Sequence, residues 1–224
     1  MVHKWLLIMI DIVIIGQNES KHIDNMYMAL CKYPYKRIWI LDRCTDNSSE
    51  KLDYYLEDYI KTPQYLKGRQ TSFSRNLGLA NTRNDVLFID GDRYPTVGSL
   101  SNLETTKEDI SLLLLEEDHR DNIDMDKAYG TVHNGFYSCG LFMKREAINR
   151  VLEFQQGELF KLNLQEFWGV EDVSLGDVCY HLGLTCGIYR DCRLRGKFDK
   201  LAVDSIKTIE KRFTFREKLN VLWN

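Results

Sequence analysis

Val86 to Ile89 is an unbroken apolar run with β-branched and aromatic members, and it ends on Asp90-Gly91-Asp92. A short run with no polar alternation fits a strand buried on both faces of a parallel sheet. A sheet covered on both faces takes helices between its strands, which confines the chain to α/β architectures. In open sheets of that kind, ligands bind beyond the carboxyl ends of the strands. Asp90 and Asp92, separated by a glycine that lets the backbone approach closely, suit a hard divalent cation bridging phosphate oxygens. Asp-Gly-Asp is also good turn chemistry, so the tripeptide alone leaves a plain turn and a metal site both open.

The segments before it repeat the pattern. Ile12 to Ile15 is a second β-branched run, ending at Gly16-Gln17-Asn18-Glu19-Ser20. A helix is predicted from Ser20, with Ile23, Met26, Tyr27, Leu30 and Cys31 on one face, ended by Tyr33-Pro34. Arg37 to Leu41 forms the next strand, and Asp42-Arg43-Cys44-Thr45-Asp46-Asn47-Ser48 the loop beyond it. Ser48 or Ser49 caps a helix whose Leu52, Tyr55, Leu56 and Tyr59 share a face. After a turn around Pro63, Gly68 to Ala80 reads as a loop feeding a short helix. The order strand, helix, strand, helix, helix, strand argues for a parallel sheet with helices on both faces. The polar loops around Glu19, Asp42 to Asp46 and Asp90 to Asp92 then converge at one edge, as in a nucleotide site.

Past Pro95, Ile110 to Leu115 and Phe136 to Met143 read as strands. Arg145 to Phe154 reads as a helix closed by Gly157, and Glu171 to Leu182 as a helix closed by Gly183. The acidic stretch Glu116 to Asp126, between the two strands, reads as a solvated loop, with a metal or substrate lid as the alternative. Glu171 and Asp172 fall at a helix amino terminus, where the dipole favours carboxylates in any protein. With Trp168 and Gly169 before them, they also make an acid/base site; this stretch does not choose between the two. Arg190, Arg193, Arg195, Lys197, Lys200 and a terminal basic helix could meet a pyrophosphate, an acidic acceptor or anionic lipid, or simply face water.

The 224 residues carry a net charge of only -3, which gives no global push toward nucleic acid or acidic membranes. The six cysteines contain no Cys-x-x-Cys pair, so zinc-ribbon and thioredoxin readings lack support, and they read as reduced thiols of a cytoplasmic protein. Trp5 to Ile15 is too short for a transmembrane helix and contains Asp11, so it reads as a buried strand.

Taken in order, these stretches resemble the GT-A fold glycosyltransferases, especially those of the family 2 type. The matching segments are Ile12 to Glu19, Asp42 to Ser48, Ser74-Arg75-Asn76-Leu77-Gly78, Asp90-Gly91-Asp92, Gly140 to Ala147 and Trp168-Gly169-Val170-Glu171-Asp172. The resemblance implies a single GT-A domain over residues 1–224, with a mostly parallel central sheet flanked by helices. Residues 1–95 would form its nucleotide-binding half, 96–190 its acceptor and catalytic half, and 191–224 a basic tail. It implies a metal-dependent, inverting transferase that moves a sugar from a nucleotide-diphosphate sugar, UDP-sugar favoured, to a hydroxyl acceptor.

By the same resemblance, Asp42 holds the base and ribose with Gln17 and Glu19 beside it, Arg75 assists on the nucleotide, and Asp90 and Gly91 meet the donor. Asp92, with Asp90, ligates Mn2+ or Mg2+. Asp172 is the general base, Glu171 assists it, and Trp168 and Gly169 line the acceptor. The acceptor stays open among a glycan, a protein, a lipid-linked glycan and a modified DNA base. Val170 replaces a glycine of the family's pattern, Gly16-Gln17 stands where Pro-Thr-like residues are frequent, and no histidine follows His181 to complete a metal shell. Two alternatives remain. One is a haloacid-dehalogenase-like phosphatase with Asp90 as nucleophile and Asp92 as acid, and the other a nucleotide-sugar-binding module without turnover.

Overall fold

Alternate residues of the first strand, β1 (Ile10–Gly16), serve two separate cores, and the layered architecture follows from that alternation. Ile10, Ile12 and Ile14 pack with Ile23, Met26 and Leu30 of α1 (Ser20–Leu30) and Leu52 of α2 (Ser48–Tyr54). Val13 and Ile15 pack on the other face, among Leu79 of α3 (Thr71–Leu79) and Ala147, Ile148 and Val151 of α4 (Arg145–Phe154). Leu175, Val178 and Cys179 of α5 (Val170–His181) join that second core. A fully buried Ile or Leu contributes about 1.5–3 kcal/mol, so a strand filled on both sides anchors the whole sheet. The computed structural model describes residues 10–68, 70–116, 137–164 and 170–195.

The remaining strands are β2 (Lys36–Leu41), β3 (Tyr59–Lys61), β4 (Asp85–Asp90), β5 (Pro95–Gly98), β6 (Ile110–Leu115), β7 (Leu141–Met143) and β8 (Cys186–Leu194). They form one sheet in the order β3-β2-β1-β4-β7-β6-β8-β5. Strands β3, β2, β1 and β4 are mutually parallel, and only β7 and β5 run against the others. The register puts Gly16 opposite Leu41 and Ile15 opposite Asp90, so the carboxyl ends of β1, β2 and β4 lie side by side. The expected mostly parallel sheet flanked by helices is the observed one.

Asp11 is the one charge inside β1, and it is buried. Its carboxylate accepts the backbone N–H groups of Arg83 (2.7 Å) and Asn84 (3.0 Å) and the Asn84 side-chain amide, fixing the turn that feeds β4. Burying it is tolerable because each oxygen is paired.

Three expectations need correction. The helix from Ser48 ends at Tyr54, before Leu56 and Tyr59. Leu56 takes a left-handed φ of 57° and is 91% exposed, while Glu57 is pulled back to β2 by Arg37 (2.7 Å) and by the Trp39 indole N–H. That ion pair turns the chain into β3, which pairs with Trp39 to Leu41. The strand expected over Phe136 to Met143 is, among the described residues, only Leu141–Met143, because Gly140 takes a φ of +77° just before it. The helix expected to start at Glu171 begins at Val170. Strand β8 runs on past residue 190, so Asp191 to Leu194 belong to the sheet.

Candidate active site

Three strand ends are laced together before any side chain joins them. Gly91 N–H donates to Ile15 O at 2.6 Å and Asp42 N–H donates to Gly16 O at 2.8 Å, so the loops after β4 and β2 are both tied to the end of β1. A Cβ on Gly91 would lie 3.2 Å from Ile15 O and 3.3 Å from Gly16 Cα, so the close approach leaves no comfortable room for a side chain. Asn18, at a left-handed φ of 59°, accepts Thr45 N–H on Oδ1 (2.7 Å), and Asp46 accepts the Ser20 and Ser48 N–H groups at the starts of α1 and α2. One carboxylate thus serves two helix amino termini, where backbone donors and dipole both favour it.

Glu19 lies over this seam, its Cγ within contact distance of where side chains on Gly16 or Gly91 would begin. Burial, followed by Asp92 and then Asp46 and Asp90, raises its carboxyl above the ordinary range against an opposing Lys21. His22 Nε2 approaches Glu19 at 3.8 Å, and burial lowers its basicity, with Lys21, Arg195 and Arg93 adding to the effect. Gln17 is exposed at the rim.

Asp42 is not a bare carboxylate. Arg43 grips both of its oxygens, Nε to Oδ1 at 2.8 Å and Nη2 to Oδ2 at 2.9 Å, and Thr62 Oγ1 donates to Oδ1 at 3.0 Å. Arg43 itself sits at a left-handed φ of 52°, a conformation that costs a non-glycine residue about 1–2 kcal/mol. It is held there by its N–H on Thr62 Oγ1 and its Nη1 on Leu66 O.

The third part of the site is carried by α3, and each residue of Arg75-Asn76-Leu77-Gly78 that matters does something different. Asn76 clamps Phe160 with two backbone hydrogen bonds, 2.7 and 3.0 Å, and Gly78 lets the helix approach Val13 of β1. Phe160, fixed edge-on against Phe88, puts its ring 5.4 Å from the Arg75 guanidinium. Arg75 is 4% exposed and faces three carboxylates: Asp90 Oδ1 at 3.0 Å from Nη2, and Glu171 Oε1 and Asp172 Oδ1 at 3.8 and 3.9 Å from Nη1. Burial works against its charge, but Asp90, Asp172 and Glu171 outweigh that and hold the guanidinium above its ordinary pKa. The residue expected beside the nucleotide therefore joins the end of β4 to the start of α5. Sequence pattern could not show this, because the pairing depends on how deeply α3 packs.

Asp92 stays partly exposed, with Arg93 Nε at 3.5 Å from its Oδ1. Cys139, beside Asp90 and not anticipated from the sequence, has its thiol pushed well up, first by burial and then by Asp90. Trp168 and Gly169 lie outside the described residues. So do the acidic stretch beyond Glu116 and the basic residues beyond Arg195, whereas His181 packs against Phe154 with ring centroids 5.4 Å apart.

Among the described residues no cluster of three or more His, Cys, Asp or Glu side chains could by itself hold a metal ion. The donors at the end of β4 are two carboxylates, one 3.5 Å from Arg93 and the other sharing one oxygen with Arg75. Hard oxygen donors of this kind fit Mg2+ or Mn2+, which are bound through one or two carboxylates plus phosphates and water.

The architecture is that of the GT-A glycosyltransferases. TarS residues 1–349 from S. aureus matches at a TM-score of 0.63 and 16% identity, over 84% of this chain and 60% of that one. A mannosyltransferase from Pyrobaculum calidifontis, solved with GDP-Man and Mn2+, matches at 0.64 and 12%, over 96% of this chain and 64% of that one. Glucosyl-3-phosphoglycerate synthase from Mycobacterium tuberculosis, solved with Mn2+, UDP-Glc and phosphoglyceric acid, matches at 0.61 and 15%, over 91% and 76%. The chain spans about 60% of the length of the TarS fragment and 39% of the longer TarS chain. No family model and no curated relative matches the sequence. Among the described residues no helix is long and apolar enough to cross a membrane.

Proposed function

We propose that this protein is a metal-dependent glycosyltransferase that moves a sugar from a nucleoside-diphosphate sugar to a hydroxyl acceptor, with inversion. The observation behind this reading is the meeting, within a GT-A fold, of the β4-end carboxylate Asp90 and the α5-start carboxylates Glu171 and Asp172 on one buried Arg75. A metal carboxylate and a candidate base on facing elements is the arrangement a single displacement needs.

Asp92 and Asp90 would hold Mn2+ or Mg2+, which, when bound, neutralises the charge developing on the diphosphate leaving group. Gly91 keeps the strand end free of a side chain where the diphosphate would approach. Glu19 and Gln17 border the nucleotide, and the Asp42–Arg43 pair gives its base both an acceptor and donors. Asp172, whose Oδ1 is buried toward Arg75 while the side chain as a whole stays partly exposed, accepts the proton of the attacking hydroxyl. Glu171, buried one residue earlier, keeps the acidic end of α5 turned toward Arg75. Trp168 and Gly169 are proposed to line the acceptor, and UDP-sugar is the favoured donor.

Thermal stability with UDP, GDP or CMP, each with and without Mn2+, tests the donor half. A ligand selective for the folded state raises the melting temperature. One nucleotide should stabilise the protein only in the presence of Mn2+, and Asp92→Asn should remove the shift. No shift with any nucleotide and metal would overturn the reading.

A further inference from the structure

Arg75 is one cation serving three carboxylates, and its geometry divides it between them. Nη2 donates to Asp90 at 3.0 Å, while Nη1 reaches Glu171 and Asp172 only at 3.8 and 3.9 Å, beyond hydrogen-bonding distance. Nη1, Nε and Asp172 Oδ1 are buried and have no hydrogen-bond partner among the described residues. The guanidinium packs over the Phe160 ring, 5.4 Å from its centroid, and that ring is clamped to the same helix by Asn76. Whatever draws Asp90 toward another cation must leave Arg75 to its remaining partners, and whatever neutralises those partners must leave it to Asp90.

Building on the proposed function, we propose that Arg75 is a positioning residue that couples cation occupancy at Asp90 to the candidate base Asp172. The planar guanidinium presents separate donors toward the two sides at once, which a single ammonium cannot do. With a divalent cation drawing on Asp90, the Arg75 charge is committed to Glu171 and Asp172 on α5. The candidate base is then held in place only when the donor side is filled. The coupling is reciprocal: a change at Asp172 alters cation affinity at Asp90 by the factor with which the cation alters Asp172's hold on Arg75.

The test is a calorimetric titration of Mn2+ into the full chain with saturating UDP, and separately GDP, in four proteins: the parent, Asp172→Asn, Arg75→Gln and the double variant. Asp172→Asn should weaken Mn2+ binding by about five- to tenfold when Arg75 is present, since typical coupling spans roughly 5–150-fold. In the Arg75→Gln background the same change should cost less than about twofold, and Arg75→Gln alone should tighten Mn2+ binding by releasing Asp90. An equal loss in both backgrounds, with Mn2+ still bound by the parent, would overturn the coupling and leave the transferase reading standing. Failure of the parent to bind Mn2+ with either nucleotide would overturn both. Should Arg75→Gln not fold, Arg75→Lys supplies the second background; it keeps a cation without the fork, and undiminished coupling there would also overturn the proposal.

Discussion

Replacing Gly78 by Ala ought to destabilise this protein, although the same change inside a helix normally stabilises it. Gly78 sits where α3 crosses β1, and a Cβ there would stand 2.3 Å from Val13 Cγ1 and 3.3 Å from Ile40 Cγ1. Carbon atoms in good contact sit about 3.5–4.0 Å apart, so the helix or the strand must yield by about 1.2 Å or more. Val13 is fully buried and Ile40 is as well, so neither side chain has free space to retreat into. Forcing a methyl into a filled core costs about 1–3 kcal/mol. The backbone entropy recovered on removing a helical glycine offsets about 0.5–1 kcal/mol of this. With the 2.3 Å approach placing the cost in the upper part of its range, at about 2–3 kcal/mol, the net loss is about 1–2.5 kcal/mol, a fall in melting temperature of roughly 2–10 °C for a domain of this size. Urea denaturation should show a lower midpoint with an unchanged slope. The Val13→Ala background removes the colliding methyl, so the penalty should shrink there by about 1 kcal/mol. A midpoint for Gly78→Ala equal to or above the parent's would refute the close-approach reasoning. Because α3 also carries Arg75, the same substitution should loosen the Arg75–Asp90 contact.

Arg43→Ala removes both hydrogen bonds that Arg43 makes to Asp42 and leaves Thr62 as the carboxylate's remaining donor. Nucleotide affinity, read by calorimetry across UDP, GDP and CMP, should change by roughly tenfold and alter the order of preference, since hydrogen bonds to charged groups contribute about 1.5–3 kcal/mol; an unchanged order would remove the pair from base recognition. Asp46 has its carboxyl held below the ordinary carboxylate range: burial pushes the other way, but hydrogen bonds from Ser48 and Ser20 prevail. A depressed folded-state pKa gives stability that is present above the unfolded value and lost as pH falls through the folded one. Stability should therefore drop below about pH 4 in the parent, and Asp46→Asn should flatten that part of the acid limb; an identical acid limb would dissociate Asp46 from it.

The parts of the fold that the sequence declares are those where one interaction decides the outcome. Val86 to Ile89 and Ile12 to Ile15 are apolar without interruption because both faces of β4 and β1 are covered, and nothing but a central strand satisfies that. Strand β3 hides because Tyr59-Ile60-Lys61 is short and is recruited by the Glu57–Arg37 ion pair rather than by its own pattern. Strand β8 hides because Arg190 and Asp191 are exposed within it and interrupt the apolar signal. At the site, Asp90, Asp92, Glu171 and Asp172 are legible as carboxylates at a strand end and a helix start, both local features. The Arg43 grip on Asp42 needs a left-handed backbone, and the Arg75 bridge needs α3 seated on Gly78; both are products of packing between distant segments.

Transfer chemistry at the site that Arg75 joins would release free nucleotide, which can be measured. UDP-Glc and GDP-Man are each incubated with the protein and Mn2+ in the presence of a panel of hydroxyl acceptors, and free UDP or GDP is measured for the parent and for Asp172→Asn. The account predicts nucleotide release by the parent and a loss of at least about a hundredfold in Asp172→Asn, in keeping with removal of a general base, while Mn2+-dependent nucleotide binding persists in the variant. Release that proceeds undiminished in Asp172→Asn would contradict the assignment of the base and with it the mechanism proposed for this site.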